Sequence, residues 1–186
     1  NGRLFFTASD ANGVELWKSD GSAAGTVLVK DILEGAGSSS PTSLFNANGV
    51  LYFTAADTGG QTPNFELWKS DGTGPNTVRV ADLNSKGSSV PFEFTQIGNA
   101  LYFTANGTDS GRELWRLDLP GGTPTMRKDI NPGIASSNVA DLTVVGTTLF
   151  FTTDPGNRTR ELWKTNGTSA GTVANTSRVA TTSATR

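Results

Sequence analysis

The chain has 186 residues, a formal charge of −2, and neither cysteine nor histidine. Disulfides, thiolate metal sites, cysteine nucleophiles, Ser-His-Asp triads and imidazole acid–base chemistry are therefore excluded. With 15 Lys and Arg against 17 Asp and Glu, no concentrated positive field exists for nucleic acid. No run approaches the ~18 apolar residues of a membrane helix, so membrane insertion is not expected. A chain that opens on Asn1 reads as a mature product or an excised segment.

In chain order, the first strand signal is Leu4-Phe5-Phe6-Thr7-Ala8. Side chains alternate across a strand, so Leu4 and Phe6 face one way and Phe5 the other. Both faces are apolar, as stacked sheets require. A second strand carries Glu15-Leu16-Trp17, followed by the turn Ser19-Asp20-Gly21-Ser22. A third, Thr26-Val27-Leu28-Val29-Lys30-Asp31-Ile32, leads through a Gly/Ser loop to Pro41-Thr42-Ser43-Leu44-Phe45.

The pattern then repeats. Leu51-Tyr52-Phe53-Thr54-Ala55 precedes Glu66-Leu67-Trp68 and Asp71-Gly72-Thr73. Leu101-Tyr102-Phe103-Thr104-Ala105 precedes Glu113-Leu114-Trp115, whose turn departs at Asp118-Leu119-Pro120. Leu149-Phe150-Phe151-Thr152-Thr153 precedes Glu161-Leu162-Trp163 and Asn166-Gly167-Thr168. The four tryptophans are all the chain has, and they lie 51, 47 and 48 residues apart. From Leu44, Phe94 and Leu142 to the next central phenylalanine is nine residues each time. The extra residues 58–64 in copy two map to a hairpin tip, which lengthens cheaply. Copy four loses the pattern after Thr172, with Ser177 where a strand-closing Asp is expected.

Four short strands per ~48 residues, apolar on both faces and punctuated by Asp-Gly turns, predict an all-β chain. The expected fold is one β-propeller domain of four blade-like, four-stranded antiparallel repeats, approximately 1–48, 49–98, 99–146 and 147–186.

The motif set Leu-Tyr-Phe-Thr-Ala, Glu-Leu-Trp-x-x-Asp-Gly-Thr and Val-x-Asp-Ile resembles bacterial ELWxxDGT-repeat proteins. That resemblance covers essentially the whole chain and implies a propeller-like fold in secreted or surface-attached proteins, with no defined activity. By analogy with related propellers, residues 41–46 form an innermost strand and 77–83 an outermost one. The first blade then lacks its inner strand, and an unpaired edge needs cover. Three covers are open: the tail 177–186 folded back, strand exchange with a neighbouring protomer, or further repeats.

A residue recurring in every repeat serves the repeat. Glu15, Glu66, Glu113 and Glu161 are accordingly expected to be structural rather than glycosidase carboxylates. Trp17, Trp68, Trp115 and Trp163 are expected to wedge between blades. Asp20, Asp71, Asp118 and Asn166 hold turns. The loops at Asp10 and Asp109 lack the ligand spacing of a calcium loop. Asn106, Asn157, Asn166 and Asn175 begin glycosylation sequons, expected in turns or the tail, and the hydroxyl-rich tail suits O-linked sugar. No Asp/Glu/Arg constellation stands outside the repeat frame.

The expected function is thus a non-catalytic, extracellular or cell-surface structural or interaction module. It needs no cofactor or metal, and its partner is itself, as oligomer or filament, or another surface protein. The first alternative is a carbohydrate-binding propeller using Tyr52, Tyr102 or the loop near Phe65. The second is a propeller glycoside hydrolase.

Overall fold

A computed structural model of the chain describes residues 2–59, 62–154 and 160–175. It contains fifteen strands, and no helix among the described residues. The strands form four antiparallel sheets in which sequence neighbours pair. The first sheet holds β1 (Leu4–Asp10), β2 (Gly13–Ser19) and β3 (Val27–Lys30). The second holds β4 (Thr42–Ala47), β5 (Val50–Ala56), β6 (Phe65–Ser70) and β7 (Val78–Ala81). The third holds β8 (Phe92–Ile97), β9 (Ala100–Asn106), β10 (Arg112–Asp118) and β11 (Thr125–Lys128). The fourth holds β12 (Ala140–Val145), β13 (Thr148–Thr153), β14 (Glu161–Thr165) and β15 (Val173–Ala174). The first sheet has three strands, as the phase of the repeat implies: the position of a leading strand beside β1 is the one not filled among the described residues.

The registers repeat as the motif does. Phe6 opposes Trp17, Phe53 opposes Trp68, Phe103 opposes Trp115 and Phe151 opposes Trp163. In the first three sheets, the pairing of the Trp strand with the next strand slips by a bulge at the tryptophan. β4 contacts β8 and β8 contacts β12, so the leading strands of sheets two to four lie side by side around a common axis. The segments before the aromatic strands are therefore innermost.

The core lies in the seams between sheets. In the first seam Phe5, Leu16, Val29 and Ile32 of sheet one meet Leu44, Leu51, Phe53, Ala55 and Trp68 of sheet two. The second joins Tyr52, Leu67 and Leu83 to Leu101, Phe103 and Trp115; the third joins Tyr102, Leu114 and Ile130 to Leu149, Phe151 and Trp163. The alternation of the aromatic strand explains this division. Its Leu, Phe and Ala face the preceding sheet, and its Tyr faces the following one. Each sheet thus has a forward and a backward apolar face.

Candidate interaction surface

Three of the four repeated glutamates are latches. Glu15, Glu66 and Glu113 are fully buried. The main-chain N–H of Ser39 donates to Glu15 at 2.8 Å, and the Ser39 hydroxyl donates to the same carboxylate. Ser89 makes both bonds to Glu66, and Ser137 makes both to Glu113. A second N–H, from Ile32, Leu83 or Ile130, joins each carboxylate at 3.2 Å. The carbonyls of these serines accept N–H groups of the next sheet, from Ala56, Asn106 and Asp154. Each glutamate therefore pins the crossover between one sheet and the next. Burial pushes the Glu66 and Glu113 carboxyls above the usual range, and the hydrogen bonds pull back towards it.

The preceding serines, Ser38, Ser88 and Ser136, accept the main-chain N–H of Val14, Phe65 and Arg112. The crossover passes so close to Gly13 that a Cβ there would lie 1.9 Å from the Gly37 carbonyl oxygen. The Ser-Ser pairs went unread in the sequence. Their signal is the spacing from each glutamate: 24, 23 and 24 residues to Ser39, Ser89 and Ser137.

Glu161 differs. It is exposed, and it accepts the Trp163 indole N–H at 3.2 Å. Trp68, Trp115 and Trp163 pack in the three seams, whereas Trp17 is half-buried on the backward face of sheet one.

The turns hold as Asx turns in three copies. Asp20 accepts the N–H and hydroxyl of Ser22, Asp71 those of Thr73, and Asn166 those of Thr168. The Ser22 N–H first, then its hydroxyl, holds Asp20 below the usual carboxylate range. The Thr73 hydroxyl and the Asn76 amide do the same for Asp71. Asp118 instead pairs with Arg116, and its turn follows a different path through Pro120.

A cationic side chain after the tryptophan crosses two of the three seams. Lys18 donates to the Gly72 carbonyl of the next turn at 2.7 Å, and Arg116 donates to the Gly167 carbonyl at 3.0 Å. Lys69 stands at the same place, but the altered third turn offers it no such carbonyl. It lines a cleft of about 200 Å³ with Arg79, Pro120 and Gly122.

The leading strands hold a feature that sequence reasoning missed. Ser43, Glu93 and Asp141 occupy the same repeat position with φ of 54°, 55° and 59°, at bulges in β4, β8 and β12. Such values strain a non-glycine residue. Arg112 stacks 4.3 Å over the Phe92 ring and donates to the Val90 carbonyl. Asp141 accepts the Thr152 hydroxyl at 2.7 Å and pairs with Arg160. Burial, then the charge of Asp141, raises the Glu93 pKa, while Arg112 opposes both. An acidic and basic cluster thus forms on sheets three and four from residues the first two repeats lack, which corrects the expectation that no Asp/Glu/Arg constellation stands outside the repeat frame. No group of three metal-ligating side chains occurs among the described residues.

Two expectations are corrected. Tyr52 and Tyr102 are buried in the seams and offer no ring to a sugar. Asn106 is the last residue of β9 rather than a turn residue, half-buried, with its Nδ2 3.5 Å from the Ser88 carbonyl. Asn166 is exposed in its turn and Asn175 donates its N–H to Leu162. Asn157 and the tail from 176 lie outside the described residues.

Among solved structures, TolB from Acinetobacter baumannii superposes over 94% of this chain with a TM-score of 0.54 at 15% identity. The fold is a β-propeller. The propeller segment described here spans 40% of the TolB chain. A computationally designed protein, Ika8, matches 91% of this chain and 44% of its own length at a TM-score of 0.43 and 14% identity. No protein-family model and no curated protein matches the chain.

Among the described residues, the outer faces of the first and fourth blades are uncovered. Leu51, Leu101 and Leu149 are buried against a preceding blade, while the equivalent Leu4 is 65% exposed. Leu16, Leu67 and Leu114 are buried against a following blade, while Leu162 is 45% exposed. Val145 on β12 is 60% exposed where Ala47 is buried. A cavity of about 520 Å³, lined by Leu4, Phe5, Leu44, Asn46 and Leu51, opens beside the free edge of β1. In sheets two to four the equivalent side of the aromatic strand is paired with β4, β8 or β12.

Proposed function

We propose that this chain is a non-catalytic structural or interaction module that engages other polypeptide, a second copy foremost, through its uncovered blade faces and the free edge of β1. One observation carries the reading: apolar positions buried at every internal seam are exposed at both ends of the blade array. Burying such surface returns about 25 cal/mol per Å², and an unpaired strand edge accepts an added strand. The resemblance to secreted ELWxxDGT-repeat proteins supports an extracellular or cell-surface location.

The repeated carboxylates suit this reading, because Glu15, Glu66 and Glu113 are spent on buried latches. A glycan-binding or hydrolytic reading rests instead on Glu93, Arg112, Asp141 and Arg160 around the axis. A panel of glycans and esters separates the two. The interaction module gives no turnover and no array signal that depends on these residues. Turnover abolished by Glu93→Gln or Asp141→Asn overturns it, and glycan binding lost in both variants favours the lectin.

A further inference from the structure

We infer that copies of this chain associate head to tail, the forward face of the fourth blade in one copy seating on the backward face of the first blade in the next. This rests on the reading of the end faces as interaction surfaces and adds which face takes which.

The internal seams supply the rule. Each forward face presents an aromatic residue of the second strand and the leucine of the Glu-Leu-Trp strand: Phe5 with Leu16, Tyr52 with Leu67, Tyr102 with Leu114. Each backward face presents leucine and phenylalanine of the aromatic strand with the tryptophan: Leu51, Phe53 and Trp68, then Leu101, Phe103 and Trp115, then Leu149, Phe151 and Trp163. The fourth blade carries the forward set in Phe150 and Leu162, extended by Val145. The first blade carries the backward set in Leu4, Phe6 and Trp17.

The polar bond across the seam completes the match. Lys18 and Arg116 each donate to the glycine carbonyl of the next blade's turn. Lys164 holds that position on the fourth blade, exposed. The Gly21 carbonyl holds the acceptor position on the first, in the same turn geometry as Gly72 and Gly167, with φ of 94°, 91° and 90°. The two faces are unlike, and they match each other as the two sides of an internal seam do. The contact is therefore heterologous, and it builds a closed ring or a filament rather than a two-fold pair.

Two variants test the direction. Leu162→Asp with Lys164→Glu disables the forward face, and Leu4→Asp disables the backward face. All three residues are exposed, so each variant should keep the wild-type circular dichroism and melting behaviour at low concentration. Expected by light scattering: wild type above the 19.5 kDa monomer mass, each variant alone at that mass, and an equimolar mixture forming one species of about twice it. The mixture stops at two because each variant retains one good face. If the forward-face variant keeps the wild-type mass, or the mixture stays monomeric, head-to-tail pairing is wrong while association itself stands. If the wild type is monomeric throughout, the interaction reading fails as well.

Discussion

The Ser137 hydroxyl donates to Glu113 Oε2 at 2.7 Å while the Ser137 main-chain N–H donates to Oε1 at 3.2 Å. One serine thus satisfies both oxygens of a fully buried carboxylate that bridges two blades. Glu113→Gln swaps one acceptor oxygen for an N–H₂ donor facing other donors. An unsatisfied buried group costs about 1–3 kcal/mol, so urea unfolding should show a loss of that size. Glu161→Gln, on an exposed residue of the same motif, should change stability little. Equal losses in the two variants would contradict the latch.

Stability should depend on pH in two opposed ways. Glu66 and Glu113 have folded pKa values raised by burial. Between the unfolded and the raised value the folded chain binds more protons, so stability falls as pH rises through that window. Asp20 and Asp71 have lowered values, set by turn hydrogen bonds. Their contribution is complete above the ordinary aspartate pKa and is lost as pH drops through the lowered values. Unfolding midpoints should therefore peak in mild acid. Replacing Glu66 and Glu113 with glutamine should flatten the side of the peak towards neutral pH and leave the acid side unchanged.

Phe103 and Phe6 share a repeat position but not an environment. Phe103 is fully buried in the second seam, and Phe6 is half-buried on the uncovered face. Phe103→Ala should cost about 3–5 kcal/mol by denaturant titration. Phe6→Ala should cost clearly less in dilute protein, and the gap should narrow with concentration as association covers that face.

The glycines facing the Asx turns have no room for a side chain. A Cβ at Gly171 would lie 1.9 Å from Asn166 Oδ1, and one at Gly25 would lie 2.0 Å from Asp20 Oδ1. Gly171→Ala and Gly25→Ala should each lower the melting temperature by displacing the turn side chain. Gly121→Ala, in the altered third turn with open space around it, should not.

The blade architecture was legible because it is written in rare residues. Four tryptophans at near-constant spacing fix the repeat, and apolar residues on both faces of Leu51-Tyr52-Phe53 require sheets on both sides. The phase was supplied by analogy with related propellers, and the contacts of β4 with β8 and of β8 with β12 agree with it. The serine latches were not, because serine is common and its partner lies 24 residues away in Glu15. The strained positions Ser43, Glu93 and Asp141 were also hidden. Their φ values arise from bulges where leading strands crowd the axis, a packing effect that no local pattern records. Lys69 shows the converse: one altered turn, at Pro120, opens a cleft in the neighbouring seam.

Sedimentation equilibrium of the full chain over a wide concentration range tests the central claim most directly. The uncovered faces predict a mass that rises from 19.5 kDa towards whole multiples with concentration. A single species at the monomer mass across the range would contradict it.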